Sequence, residues 1–133
     1  MSDKPASRFS AARLVVGDLQ RQAAFYRAVF GLGEGIFIAD QIRGRPIEEL
    51  IFMDPRGGAG IILLQYMDGN PPSTEGAMLV FFDEDLPALE ARLLAAGGSV
   101  FQPVSEIDLG NRRARMAIYA DPEGFLLEVI EGK

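Results

Sequence analysis

Apolar and polar positions alternate over Phe9–Val16, with β-branched residues toward the end, which predicts a strand. Asp18 follows as a helix N-cap, because its carboxylate can accept backbone N–H groups that have no partner inside the helix. Leu19, Ala23, Tyr26 and Phe30 then fall at spacings of four, three and four, one apolar stripe of a helix that Gly31 and Gly33 stop. The same order recurs downstream. A strand over Ala77–Phe82 leads to a cap at Asp85, a stripe of Leu86, Leu89, Leu93 and Ala96, and a stop at Gly97-Gly98. Pro87 sits in the first helical turn, where a missing N–H does no harm. Helices are therefore expected near 18–31 and 85–97. Three strands follow each, near 35–40, 47–53 and 60–66, then 99–104, 113–120 and 125–130.

Asp18 and Asp85, Asp54-Pro55 and Asp121-Pro122, and Gly31 and Gly98 are each 67 residues apart. Three landmarks at one offset imply two tandem modules, about 8–66 and 76–131. They are joined by a linker at 67–75 that includes the turn-rich Asp68-Gly69-Asn70-Pro71-Pro72-Ser73. The fold class is α+β: one domain over 1–133, built of two βαβββ modules, with a curved, cup-shaped mixed sheet and helices on its outer face.

Composition narrows the chemistry. At 133 residues the chain fits a single domain, and 48% apolar residues with nine Phe supply a core. The net charge of −6 and the lack of a basic run disfavour nucleic acid. With no cysteine and no histidine, the chain has no thiolate chemistry and neither the commonest metal ligand nor the commonest neutral-pH base. No stretch approaches the ~20 apolar residues of a membrane span, and the N-terminus has no signal-like apolar run. A cytoplasmic location is expected. Ser10, Ser73, Ser99 and Ser105 have no histidine to activate them, and no phosphate-cradling or dinucleotide motif occurs.

Val16-Gly17-Asp18-Leu19, Phe25-Tyr26 and Gly31-Leu32-Gly33 resemble the first-module signature of the vicinal-oxygen-chelate (glyoxalase/bleomycin resistance protein/dioxygenase) superfamily. The segment Tyr119-Ala120-Asp121-Pro122-Glu123-Gly124-Phe125-Leu126-Leu127-Glu128 is similar to its closing signature. The resemblance spans nearly the whole chain and implies the fold; it leaves function open, since the fold serves many chemistries.

The resemblance also implies four strand positions for metal ligands, related by the repeat. They land on Ala11, Met78, Glu128 and, by the 67 offset, Ile61. Only Glu128 is a ligand type for a divalent ion, so no metal and no cofactor are expected. Shifting the first-module strand by two or four residues offers Leu63 or Gln65. Strand alternation puts Ala11, Arg13 and Val15 on the cup face, opposite Ala12, Leu14 and Val16. Over 113–120 it assigns Met116 and Ile118 to the helix side and Arg113, Arg115, Ala117 and Tyr119 to the cup. The offset then adds Phe52 and Glu48. The candidate ligand-binding set is Arg13, Glu48, Phe52, Gln65, Met78, Phe82, Arg115, Tyr119 and Glu128, an apolar pocket with a few charges. Met78, Phe52 and Phe82 are equally readable as core, and Arg13 and Glu128 as a buried ion pair filling the cup. Asp121-Pro122-Glu123-Gly124 reads as a turn.

Three functions remain open: a homodimeric binding protein that holds an aromatic or amphipathic small molecule; an enzyme (lyase, isomerase or dioxygenase-like) using Glu128 as acid/base or a non-standard metal site; and a regulatory or scaffolding module.

Overall fold

A computed structural model describes residues 9–56, 58–70, 72–74 and 77–132. Part of the expected linker therefore lies outside the described residues. The first module runs β1 (Ala11–Val15), α1 (Leu19–Phe30), β2 (Ile36–Ile42), β3 (Arg45–Phe52) and β4 (Gly60–Tyr66). The second runs β5 (Leu79–Asp83), α2 (Leu86–Ala95), β6 (Ser99–Asp108), β7 (Arg113–Ala120) and β8 (Leu126–Glu131).

Local chemistry sets the helix ends. Asp18 and Asp85 each accept a hydrogen bond from the backbone three residues on, from Arg21 and Ala88, both at 3.1 Å. Gly31 closes α1 in the left-handed region at φ 70°. The matching left-handed residue after α2 is Gly97, at φ 95°. The Gly31–Gly98 landmark therefore does not join structurally equivalent residues.

The strands form two four-stranded mixed sheets, ordered β1-β4-β3-β2 and β5-β8-β7-β6. In each the first strand runs parallel to the last, and the other pairs are antiparallel. One face of each sheet packs against the helices. Leu14, Leu50, Phe52 and Leu63 from the first sheet join Ala117, Tyr119, Leu127 and Val129 from the second in a single core with both helices. Between modules, Phe30 of α1 stacks on Phe81 of β5 with ring centroids 3.7 Å apart. Arg92 of α2 donates to the Val29 carbonyl oxygen at 3.1 Å.

The turn after β7 fastens the second module to the first. Asp121 is buried, and its carboxylate accepts from Gln22 Nε2 at 2.8 Å, Tyr26 Oη at 2.9 Å, and the Glu123 and Phe125 backbone N–H groups. Glu123 accepts from the N–H groups of Gly17 and Asp18 at 2.7 and 2.8 Å. Gly17 allows this approach, since a Cβ there would sit 3.3 Å from the carboxylate oxygen. The 121–124 segment is a turn, as its sequence predicts, and it also holds the start of α1.

Candidate ligand-binding site

The 67-residue offset holds for the first and third strands of each module, is interrupted by two register shifts in β6, and fails at the last strand. Phe52 pairs with Ile61, whereas Tyr119 pairs with Leu127. The β3–β4 turn is thus one residue longer than the β7–β8 turn, and β8 matches β4 at an offset of 66. A one-residue slip moves every side chain to the other face. The partner of Glu128 in the repeat is therefore Ile62, across from Arg13 as Glu128 is across from Val80. Ile61, the expected mate, packs against the core on the helix face.

Several expected pocket residues lie on the helix face for a separate reason, the face assigned to β7 and carried by the offset to β3. Phe52 is buried in the core beneath the Arg27 guanidinium, 5.5 Å from its ring centroid. Glu48 pairs with Gln65, and Gln65 Oε1 accepts the Leu19 N–H at 2.9 Å, which places both on the helix side. Tyr119 is fully buried against α2 and donates to Glu90 at 3.0 Å; burial and that carboxylate raise its phenol pKa. Arg115 forms two bonds to Glu131, at 2.9 and 2.8 Å, so it too lies on the helix face. Conversely, Met116 and Ile118, expected beneath α2, share the opposite face with Ile130 and Glu128.

Arg13, Met78, Phe82 and Glu128 remain on the face turned away from the helices. Arg13 does not meet Glu128. It reaches across β4 to Glu49 of β3, with Nη2 3.2 Å from Oε2. Glu128 lies between Val80 and Ile118 and has no ion-pair or hydrogen-bond partner among the described residues.

The four positions that the resemblance implies for metal ligands are, with the register corrected, Ala11, Ile62, Met78 and Glu128. One carboxylate among two aliphatics and a thioether does not make a divalent-cation site, which requires about three good ligands. Among the described residues no three acidic side chains converge elsewhere. The donor set does not fit a metal.

A cleft of about 1720 Å³ runs between the C-terminal end of α1, the start of β4 and the edge strand β5. Phe9, Ile36, Met53, Met78, Val80 and Phe82 line it, and each is 46–72% exposed. Arg13, Glu49 and Glu128 lie outside its lining. Of the expected pocket residues, Met78 and Phe82 are among those that line this cleft. Ile36, Met53 and Phe9 also line it without having been expected there; they lie at strand ends and in turns, where alternation carries no signal.

Two βαβββ modules, each with a mixed sheet in the order first-fourth-third-second, define an α+β protein of glyoxalase-like fold. The sequence profile of the Glyoxalase/Bleomycin resistance protein/Dioxygenase superfamily matches residues 8–129, and the chain belongs to that superfamily. No curated protein matches it. Among solved structures, the fold is similar to a glyoxalase/bleomycin resistance protein from Albidiferax ferrireducens T118, with TM-score 0.70 and 22% identity, covering 95% of this chain and 100% of that one. An antibiotic binding protein from Streptomyces sp. CB03234 gives TM-score 0.67 at 20% identity, over 98% and 99% of the two chains. Glyoxalase I from Zea mays gives 0.75 at 17% identity, over 94% of this chain but 44% of its own.

Proposed function

We propose that this protein is a metal-independent small-molecule-binding member of its superfamily, which works as a homodimer in the cytoplasm and takes an aromatic or amphipathic ligand. The observation that carries this reading is the apolar cleft. Six large apolar side chains stand exposed around it, three of them, Met78, Val80 and Phe82, in or next to the edge strand β5. Exposed apolar surface concentrated at one place marks a binding surface, whereas scattered surface residues do not. The antibiotic-binding neighbour of the same fold agrees with a ligand of this kind. The acidic net charge speaks against nucleic acid. No helix among the described residues is long and apolar enough to cross a membrane.

A thermal-shift screen of aromatic and amphipathic compounds tests the reading, because a ligand that binds only the folded state raises the melting temperature. Hits should lose their effect on Met78→Ala and Phe82→Ala. A hit that is indifferent to both substitutions would move the site elsewhere.

Glu128 favours a second reading, an enzyme. What supports it is a half-buried carboxylate flanked by Val80 and Ile118 with no partner among the described residues, the kind of group that can serve as an acid or base. Turnover that Glu128→Gln abolishes without changing ligand affinity would establish it.

A further inference from the structure

Arg13 and Glu49 lie two strands apart, with β4 between them, so only a long side chain can bridge the gap. Glu49 is 6% exposed, and its Oε2 makes no hydrogen bond. The 3.2 Å approach of Arg13 Nη2 to that oxygen is Coulombic contact without hydrogen-bond alignment. The Arg13 side chain is 45% exposed and makes no hydrogen bond to any described residue. A carboxylate oxygen sealed from water normally has a donor, and an exception calls for a reason. Ile38 and Ile51, each half-buried, stand beside the pair in register on the same face, with Ile62 beneath. The result is an unfilled acceptor and an unused set of planar donors side by side in an aliphatic surround.

We infer that the Arg13–Glu49 pair is a recognition site for a neutral amide or lactam edge, the C=O accepting from the Arg13 guanidinium and the adjacent N–H donating to Glu49 Oε2. In the inferred complex the half-exposed Arg13 side chain swings aside to admit the amide to that oxygen, which is buried in the free protein. The pairing of charges selects against charged ligands. A carboxylate meets Glu49 and an ammonium meets Arg13, whereas an amide satisfies both groups and leaves neither charge unpaired. The flanking isoleucines suit a flat apolar group carrying the amide. This site is separate from the β5 cleft and does not depend on that cleft binding anything.

The test uses three probes with one ring system: 2-naphthamide, 2-naphthoate and 2-naphthylmethylammonium, titrated into the full chain and followed by ¹H–¹⁵N NMR. The amide should shift the backbone signals of residues 13, 49 and 62, and its Kd should be about tenfold below those of both charged analogues, the worth of two net hydrogen bonds. Arg13→Met and Glu49→Gln, both expected to fold, should each reduce that preference to about twofold or less. Equal affinity for either charged analogue overturns the inference, and so does a preference that survives both substitutions. Shifts confined to Met78, Val80 and Phe82 overturn it while supporting the cleft. Absence of any binding overturns both.

Discussion

Gln65 and Glu131 perform the same task in the two modules. Gln65 Oε1 accepts the Leu19 N–H at 2.9 Å and Glu131 Oε2 accepts the Leu86 N–H at 3.1 Å, each on the first residue of a helix. The two helix starts are 67 residues apart, and the two acceptors are 66 apart. The pair thus marks, in side-chain chemistry, the slip that the strand registers show. Gln65→Ala should expose one orphan helical donor and destabilise the fold by about 1 kcal/mol, read by urea denaturation. An effect within error would mean that water replaces the amide at no cost.

Glu131 adds a pH dependence that Gln65 lacks. The Leu86 N–H, and then the Arg115 guanidinium, hold its carboxyl below the ordinary range. A depressed folded-state pKa contributes stability above the unfolded pKa of about 4.3, and that contribution disappears as pH falls through the folded value. The difference in Tm between wild type and Glu131→Gln should therefore be widest near neutrality and close on acidification. A constant difference between pH 3 and 7 would refute the ionic contribution.

The fold was legible in sequence because its markers are local. Asp18 and Asp85 cap helices, and Leu14, Leu19, Tyr26, Leu89 and Leu93 form stripes of the right period. The faces of β3 and β7 were not legible, for a physical reason. Alternation identifies a buried face only where the other face is polar. In β7, Met116 and Ile118 alternate with Ala117 and Tyr119, and both sets are apolar enough to be buried. In β3, Glu48 and Glu49 are adjacent, so the charges themselves give no side. Arg115 looks like a pocket residue until its partner, Glu131, is known. Because the β3–β4 turn has one residue more than the β7–β8 turn, counting by 67 carried the error into Ile61.

Tyr26→Phe tests the fastening between modules. Burial, and then the Asp121 carboxylate, raise the Tyr26 phenol pKa, so the hydroxyl stays protonated and donates across the physiological range. Its removal takes one of four donors from a buried carboxylate and should cost about 1–3 kcal/mol. Equilibrium unfolding should show the loss in a single transition. A separate early transition would show that the modules unfold independently.

Two further outcomes concern assembly and metal. Scattering at micromolar concentration should give twice the 14.5 kDa chain mass, and Phe82→Asp on the exposed β5 edge should return the monomer mass with Tm little changed. A wild-type monomer would remove the dimer from the proposed function.

Elemental analysis of the purified protein should find no stoichiometric divalent metal, and EDTA should leave Tm unchanged, since Glu128 is the sole ligand type at the four family positions. About one zinc, nickel or iron per chain, lost on Glu128→Gln, would reverse this conclusion and favour the enzyme.

The grip of Glu123 on the Gly17 and Asp18 N–H groups also sets a schedule for biosynthesis. Chains leave the ribosome N-terminus first, and domains ordinarily fold in that order. Here α1 takes acceptors carried by residues 121 and 123, 95 to 106 positions further along the chain. Until the β7–β8 turn has emerged the first module lacks these anchors, so its final assembly follows synthesis of the second module.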